Sequence, residues 1–483
     1  MGQREANLLR LLSRAILRTP GNPSRQLLEH AGIGFDDVRD SVNRTGLEAT
    51  LHGLQKIGIY LSVEEMKGQQ PLVRGGHTFD FSPRDVLNPL AAASFEVHTG
   101  GTRATRPVGI GFGYLTQVNV NLRAASEVLG AAGLPYFLWL PPPPAASGLF
   151  AALCAPIRGT EQTRWFAQTR PATPRQLAVT YGTLLLARSL GHSVPLPEYL
   201  PLCDAGRLLT IATRAVARRG GCVISTYVSS AMAICRVALR RRASLEGVLF
   251  LPSAEPLTES RRRLIQETGA RVAVSYWSTE LGLIASACPQ CTKGHDEMHV
   301  WTDSVAVVQP SPSDGREDGP LYFTPLLPAS PTAAINLDVG DAGRLRRGNC
   351  DCLLGHIGLD LIVADVRSTR RIKAQGITLS AHGLAELVEH VLPDRFGGFA
   401  GDYQILEETS GASTRIAVLA APRLGPLDAA ALREATHAYL LRKSPLISEV
   451  LRQADVLEVR REVPQMTSGG KVLPVLIRHL PGP

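Results

Sequence analysis

The chain has 483 residues, of which 44% are hydrophobic, 5% aromatic and 19% charged, and its formal net charge is +8. This composition excludes an intrinsically disordered chain, and the length predicts about two to four domains. No uncharged apolar run is long enough to span a bilayer, so we expect no membrane span. The arginines lie in helix-like stretches rather than in one basic tract with interleaved aromatic residues. We therefore expect no nucleic-acid partner.

The first 21 residues carry Arg and Glu inside an apolar pattern and lack the cleavage site of a secretory signal. They predict an amphipathic helix in a cytoplasmic protein. Arg10, Arg14 and Arg18 recur at four-residue spacing, which suits a solvated helix face better than a membrane surface. The eight cysteines are too few for a disulfide scaffold, and four of them form two close pairs that point to a metal.

Taken in chain order, the elements predict an α/β fold. Residues 1–90 have a mainly helical pattern, and residues 91–365 alternate strands with helices, which is typical of a largely parallel sheet. Strands are predicted at 135–140, 222–227, 248–256 and 271–276, and helices at 174–190 and 257–270. The stretch 300–345 predicts antiparallel hairpins.

The character of the sequence changes near residues 364–368, where we place a domain boundary. Residues 366–483 predict helices at 381–392 and 428–442, and strands near 402–407, 415–420 and 456–464. A small α+β domain fits this pattern.

A Thr/Gly-rich segment, FEVHTGGTRATRP at 95–107, follows a predicted strand. Such a loop suits an anion, because glycines let backbone N–H groups approach it, Thr99 and Thr102 can donate hydrogen bonds, and Arg103 or Arg106 can neutralise charge. Taken alone, the segment is equally compatible with a surface turn.

Four further segments follow in order: PSAEP (252–256), SYWSTE (275–280), NLDVGDAGRL (336–345) and VPQMTSGGK (463–471). With the Thr/Gly-rich loop and the stretch beginning VRSTRRIK at 366, they resemble the adenylate-forming superfamily over residues 90–475. The resemblance is closest to its phenylacetate-CoA ligase branch. It implies a large, multi-layer N-terminal adenylation domain and a small, mobile α+β C-terminal domain that swings about residues 365–370.

The resemblance also implies site residues. The pyrophosphate portion of ATP would be bound by the loop residues Thr99, Gly100, Gly101, Thr102 and Arg103. The adenine would be contacted by Ala254, Glu255, Pro256 and Tyr276. Thr279 would lie at the α-phosphate, and Asp341 and Arg367 at the ribose. Glu280 would hold magnesium, and Lys471 would be the adenylation lysine. Trp277 stands where the family has Gly and would reshape the wall of the acyl pocket, beside Tyr227 to Ser230.

A second constellation consists of cysteines and histidines: Cys288, Cys291, His295, His299, Cys350 and Cys352. Zinc takes four such ligands in a tetrahedron, and two paired sets on neighbouring loops provide them. The sequence favours Cys350 and Cys352 with two of Cys288, Cys291 and His299, in a structural site. Reduced, unligated thiols are the alternative.

The resemblance implies that ATP and a carboxylic acid, aromatic in the most similar branch, give an acyl-adenylate and pyrophosphate. A thiol, either coenzyme A or a carrier-protein pantetheine, would then displace AMP. An amine acceptor, an unusual oxyanion substrate such as nitrite, and a non-catalytic pseudo-ligase stay open as alternatives, and so does a homodimer.

Overall fold

The computed structural model describes most of the chain. Its described residues are 3–66, 68–91, 95–98, 107–142, 146–154, 163–169, 174–189, 191, 193–253, 257, 259–278, 280–291, 296–310, 317–368, 371–374, 377–410, 413–443, 457–466 and 472–479. Within these ranges no helix has both the length and the apolar character that crossing a bilayer requires.

The N-terminal region is mainly helical, as its pattern predicts. It contains α1 (Arg4–Leu11), which continues as a π-helical turn (Leu12–Ile16), then α2 (Pro23–His30), α3 (Phe35–Thr45), α4 (Leu47–Lys56), α5 (Val63–Met66) and a hairpin of β1 (Leu72–Arg74) and β2 (His77–Phe79). Asn22 caps α2, because its side-chain oxygen accepts the N–H of Ser24. Its amide nitrogen donates to the Ala333 carbonyl at 2.8 Å, which fastens these helices to the larger core.

A parallel sheet with helices between its strands forms the centre of the chain. In order, the elements are β3 (Phe95–His98), β4 (Pro107–Ile110), α6 (Phe112–Val128), β5 (Tyr136–Leu140), α7 (Ala146–Cys154), β6 (Thr163–Ala167), α8 (Pro174–Ser189), β7 (Pro197–Tyr199), α9 (Ala205–Arg219), β8 (Cys222–Tyr227), α10 (Val228–Arg241), β9 (Val248–Ser253), α11 (Glu259–Glu267) and β10 (Arg271–Val272). The sheet order is β10-β9-β8-β5-β6-β7, and every neighbouring pair is parallel.

The inner strands β5, β8 and β9 are buried on both faces, which explains their continuous apolar runs. Along β5, Leu138 packs into one hydrophobic cluster, while Phe137 and Trp139 pack into another. In β8, Val223 joins the first cluster and Ile224 the second. The sheet therefore separates two cores, because successive side chains point to opposite faces.

An antiparallel sheet follows. Its elements are β11 (Ser275–Ser278), β12 (Gly282–Ser286), β13 (Met298–Val300), β14 (Val305–Val308), β15 (Gly319–Pro325), β16 (Leu337–Arg347), the short helix α12 (Leu353–His356) and β17 (Leu361–Ser368), in the sheet order β11-β12-β13-β17-β16-β15-β14. The hairpins expected at 300–345 are present as β14, β15 and β16.

The prediction of a single strand at 271–276 is wrong, because the first residues of this segment belong to the parallel sheet and the later ones to the antiparallel sheet. The Ala273 N–H donates to the Phe250 carbonyl of the parallel sheet at 3.0 Å. One residue later, the Val274 carbonyl accepts the N–H of Ala287, next to β12, also at 3.0 Å. The chain thus changes sheets between residues 273 and 274.

The C-terminal part has its own hydrophobic core. Its elements are β18 (Arg371–Ala374), β19 (Ile377–Ser380), α13 (Ala381–Glu386), a π-helical turn (Leu387–Val391), α14 (Leu392–Phe396), β20 (Tyr403–Ser410), β21 (Ser413–Ala420), α15 (Ala429–Lys443), β22 (Leu457–Arg460) and β23 (Val475–His479). Strands β22-β21-β20-β23 form one sheet. Leu387, Val388, Leu392 and Leu432 are completely buried against it, so this part is a small α+β domain.

Charged groups join the small domain to the helices of the parallel sheet. Arg261 on α11 lies 2.8 Å from Glu389, and both side chains are only 1% exposed. Arg236 on α10 donates to the Ala400 carbonyl, and its guanidinium lies 5.4 Å from the centre of the Phe399 ring. Burial lowers the pKa of Arg236 to about 10. This contact is therefore polar and largely free of water.

We predict that Glu389→Met lowers the free energy of unfolding by about 3–5 kcal/mol, because it leaves Arg261 buried without its carboxylate partner. The double variant Arg261→Met/Glu389→Met should regain most of that loss, since two apolar side chains replace two desolvated charges. Urea denaturation of the single and double variants measures both effects.

Arg263→Met is the matched control, because Arg263 lies on the same helix in an exposed pair with Glu259 at 2.9 Å. It should change stability by less than about 0.5 kcal/mol. Equal losses from Glu389→Met and Arg263→Met would contradict the assignment.

Candidate functional site

A tyrosine and an aspartate from two strands of the antiparallel sheet meet at the candidate nucleotide site. The Tyr276 hydroxyl on β11 donates to Asp341 Oδ2 on β16 at 2.6 Å. Burial raises the pKa of Tyr276 well above its ordinary value, and the neighbouring carboxylates of Asp341, Asp338 and Glu280 raise it further. Tyr276 therefore stays protonated and remains a hydrogen-bond donor to Asp341.

A local turn holds Asp341 in place. The Asp338 carboxylate accepts the Gly340 N–H at 2.7 Å, and Gly340 has φ +82, a backbone region that favours glycine. Burial raises the pKa of Asp338 to about 6. On the neighbouring strand β17, Arg367 pairs in register with Ala342 and Ser368 pairs with Asp341. The two predicted ribose contacts therefore lie on adjacent strands but one position apart, where successive side chains point to opposite faces of the sheet. Arg367 also forms an ion pair with Asp318.

The turn between β11 and β12 carries Glu280, which is 8% exposed. Its Oε2 accepts the Ser278 hydroxyl at 2.7 Å. The next residues are anchored to α6, because the Tyr114 hydroxyl donates to the Leu281 carbonyl at 2.9 Å. Gly282, at φ +75, lies so close to Tyr114 that a Cβ atom would be 1.5 Å from the hydroxyl oxygen. Glycine is thus required for this turn and for the position of Glu280.

Several predicted site residues lie outside the described residues. These are Thr99, Gly100, Gly101, Thr102, Arg103, Ala254, Glu255, Pro256, Thr279 and Lys471. Two of these groups follow described strands, because β3 ends at His98 and β9 ends at Ser253. The loop after β9 therefore leaves from the carboxyl edge of the parallel sheet, where open α/β sheets bind ligands.

Four of the predicted metal ligands form a compact group: Cys288, His299, Cys350 and Cys352. Their ligand atoms all lie within 4.8 Å of one another. Cys288 Sγ is 3.6 Å from Cys350 Sγ, and Cys352 Sγ is 3.3 Å from His299 Nε2. A tetrahedral zinc ion with bonds of about 2.0–2.3 Å requires separations of roughly 3.3–3.8 Å between its ligands. The donor set of three sulfurs and one imidazole thus fits zinc in type and spacing.

The surroundings of the group suit metal ligation. His299 Nδ1 lies 2.6 Å from the Leu359 carbonyl, which can only accept, so Nδ1 carries the proton and Nε2 faces the sulfurs. Cys288 Sγ accepts the Cys291 N–H at 3.3 Å, and Cys352 Sγ accepts the Gly355 N–H at 3.4 Å. Cys291 is outside the four-residue group and contributes a backbone donor. All eight cysteines are free thiols.

Sequence reasoning missed the residues that support the site. Tyr114, Ser278 and Asp338 make the bonds that position Leu281, Glu280 and Gly340, respectively. The only signal in the sequence is proximity, because Ser278 and Asp338 lie within three residues of Glu280 and Asp341. Nothing in the sequence marks Tyr114, which acts across 167 residues of chain.

We predict that Tyr276→Phe loosens β16, because a hydrogen bond to a carboxylate contributes about 1.5–3 kcal/mol. Hydrogen–deuterium exchange should become faster in residues 337–347. Tyr439→Phe is the matched variant, since its hydroxyl donates to Glu386 at 2.7 Å in the small domain. It should speed exchange near residues 381–396 instead. Unchanged exchange of 337–347 in Tyr276→Phe would contradict the prediction.

Comparison with known proteins gives structural relatives only. No family model and no curated protein sequence matches the chain. Solved structures of 2-hydroxyisobutyryl-CoA ligase do match. In the postadenylation state with R3-HIB-AMP, that enzyme is 15% identical, with 98% of this chain and 89% of that chain covered and a TM-score of 0.59. Its open conformation with 2-HIB-AMP and CoA is 13% identical, with 98% and 90% covered and a TM-score of 0.53. The chain therefore has the fold of the adenylate-forming ligases.

Proposed function

We propose that the protein is an AMP-forming acid–thiol ligase, which uses ATP to convert a carboxylic acid into an acyl-adenylate and then into a thioester. The observation that carries this proposal is the hydrogen bond between Tyr276 and Asp341 in this fold, with Glu280 close enough to affect the pKa of Tyr276 and Arg367 on the strand next to Asp341. These are the described residues to which the sequence motifs assign nucleotide and metal contacts.

The proposed nucleotide site has a side for the nucleoside and a side for the phosphates. Asp341 is half-buried, and its carboxylate can accept hydrogen bonds from both ribose hydroxyls while it also accepts one from the Tyr276 hydroxyl. Arg367, which the resemblance assigns to the ribose, lies on the neighbouring strand, one position along from the residue opposite Asp341. The loop 99–103 would bind the pyrophosphate portion, and Ala254, Glu255 and Pro256 would line the adenine.

Magnesium fits the carboxylate side of this site. Glu280, Asp338 and Asp341 all lie close enough to Tyr276 to affect its pKa, so the site carries a concentration of negative charge. A hard divalent cation prefers carboxylate and phosphate oxygens. Glu280 would hold the ion against the phosphates, and the ion would neutralise charge that otherwise repels ATP.

The proposed chemistry occurs in two steps. An oxygen of the acid's carboxylate attacks the α-phosphorus of ATP, the bond to the β-phosphate oxygen breaks, and pyrophosphate leaves. Lys471 would stabilise the crowded anionic transition state. A thiol then attacks the acyl carbon and AMP leaves. We propose that the small domain reorients about residues 365–370 between the steps, so that a different face meets the acyl-adenylate.

Coenzyme A is the favoured acceptor, because similar solved structures hold CoA with an acyl-adenylate. A carrier-protein pantetheine offers the same thiol. An amine acceptor, an oxyanion substrate such as nitrite, and a non-catalytic pseudo-ligase are distinguished from this proposal by the assay below. A cytoplasmic location and a homodimer stay predictions.

We also propose that Cys288, His299, Cys350 and Cys352 bind a structural zinc ion. Four protein ligands complete the tetrahedron and leave no position for substrate. The metal would join the end of β12, the strand β13 and the start of α12, and α12 packs against α6. It would therefore stabilise the packing of α12 on α6.

We predict that Lys471→Ala lowers acid-dependent pyrophosphate release by about 10²–10³-fold, as loss of a transition-state contact does. Asp341→Ala should instead act mainly through the KM for ATP, which should rise about tenfold or more. The assay contains ATP, magnesium and a panel of acids, with and without coenzyme A.

The controls are Lys56→Ala, at an exposed position, and Asp360→Ala, at a half-buried aspartate that pairs with Arg347, and both should keep wild-type rates. Release that continues unchanged in Lys471→Ala would reject the mechanism. No release with any acid would favour the oxyanion or pseudo-ligase alternatives.

For the metal, we predict about one zinc ion per chain by elemental analysis, and its loss in Cys352→Ser. Cys291→Ser and Cys203→Ser should retain the ion, because Cys291 lies outside the four-residue group and Cys203 is an exposed thiol. Loss of zinc from Cys291→Ser, or a wild-type protein that holds none, would contradict this ligand set.

A further inference from the structure

We infer that Arg74 is a positioning residue for the ribose-binding carboxylate of Asp341, and that it acts through the backbone of residues 58–61. This inference rests on the proposed function, because it concerns how the nucleotide is held. The acyl-adenylate carries the AMP portion from the first step to the second. Its ribose contact therefore has to last while the small domain reorients.

The strand β16 changes partner along one of its edges. Strand β17 pairs with this edge as far as Asp341, which lies opposite Ser368, the last residue of β17. Four positions before Asp341, Leu337 pairs instead with Leu61 of the N-terminal region, in a parallel bridge. Because β15 pairs with the other edge of β16, the bridge continues the edge that β17 has left. The N-terminal region thus holds β16 where the hinge strand ends.

Backbone and side-chain bonds fix this bridge. The Leu61 N–H donates to the Asn336 carbonyl at 3.2 Å, and the Asp338 N–H donates to the Leu61 carbonyl at 2.8 Å. The Asn336 side chain is completely buried, and its amide donates to the carbonyls of Leu51 at 2.8 Å and Ile59 at 3.1 Å. Asn336 has φ +52, a region that Asn enters more easily than most residues. The start of β16 is therefore bonded to the N-terminal region through both backbone and side chain.

Arg74 on β1 holds the segment that forms the bridge. Its Nε donates to the Gly58 carbonyl at 2.9 Å, and its Nη2 donates to the Tyr60 carbonyl at 2.8 Å. The guanidinium also lies 4.3 Å from the centre of the Tyr60 ring. Glu65 fixes the guanidinium, because its two carboxylate oxygens accept bonds from Arg74 at 2.7 and 3.1 Å. One side chain thus bonds two of the three carbonyls that precede Leu61.

These contacts form a continuous path to the ribose carboxylate. The bridge bonds to the backbone of Asp338, and the Asp338 carboxylate accepts the N–H of Gly340 at 2.7 Å. Asp341 is the next residue. None of the bonds named in this path involves residues 365–370, so the path can hold Asp341 in either orientation of the small domain.

The test compares the binding of ATP with that of 2′,3′-dideoxy-ATP, which lacks both ribose hydroxyls, by calorimetric titration with magnesium. The wild-type protein should bind ATP about tenfold or more tightly, because the analogue loses two hydrogen bonds to a carboxylate. Asp341→Ala should abolish this preference. Arg74→Met should reduce it by about threefold or more, because a loosened carboxylate meets the hydroxyls poorly. A general loss of structure would weaken the binding of both nucleotides and leave the ratio unchanged.

Arg74→Met leaves Glu65 without its cation, so the double variant Arg74→Met/Glu65→Met provides a second measurement if the single variant unfolds. It removes both charges but does not restore the bonds to the carbonyls, so it should show the same reduced ratio. Arg25→Met is the matched control, because Arg25 pairs with Glu29 at 2.7 Å on α2 of the same region, and it should keep the wild-type ratio. A wild-type ratio in both Arg74 variants, together with its loss in Asp341→Ala, overturns the inference.

Failure of the proposed function gives a different result. If the wild-type protein shows no preference for ATP, the assignment of the ribose to Asp341 is rejected. Hydrogen–deuterium exchange then decides whether Arg74 positions this segment. Faster exchange of residues 337–341 in the Arg74 double variant, but not in Arg25→Met, still supports the positioning role, and unchanged exchange overturns it.

Discussion

The arrangement of the site depends on one constraint, the passage of the chain from the parallel sheet to the antiparallel sheet between Ala273 and Val274. The Ala273 N–H still bonds to the parallel sheet, and the Val274 carbonyl already bonds to the antiparallel sheet. Both backbone groups are therefore satisfied without an intervening loop. This passage brings Tyr276 and Trp277 to the carboxyl edge of the parallel sheet. It also places β11 against β9, so that the two sheets meet there.

The sequence was sufficient for elements that depend on local pattern, and insufficient for those that depend on distant partners. The expected helix at 174–190 is present as Pro174–Ser189, and the expected strand at 222–227 has those bounds. The division of 271–276 could not be predicted, because it depends on Phe250 and Ala287. The spacing of the cysteines revealed the two pairs. Whether His299 or Cys291 is the fourth member of the group depends on the pairing of β13, which carries His299, with β17. Of the three consecutive arginines in α11, only the fold reveals that Arg261 and Arg262 are buried and that Arg263 is not.

The helix α6 links the parts of the proposed site. The Tyr114 hydroxyl at its start bonds to the turn that carries Glu280, and farther along Asn121 donates to Ser304 Oγ at 2.8 Å. The short helix α12, which Cys352 caps, packs against α6 as well. A helix tied at several points has little freedom to move. The cysteine–histidine group is thus connected by packing to the helix that anchors the turn carrying Glu280.

The buried pair of Arg261 and Glu389 has a further consequence for how the two domains separate. Removing two charges from water costs nearly as much as their attraction returns, so such a pair contributes little net stability. It nevertheless disfavours any docking angle that buries one charge without the other. The contact therefore defines the angle at which the domains meet while adding little to the free energy of holding them there. In a separated state both groups would regain their hydration, so the pair's contribution to the free energy of separation should be small and should depend only weakly on ionic strength.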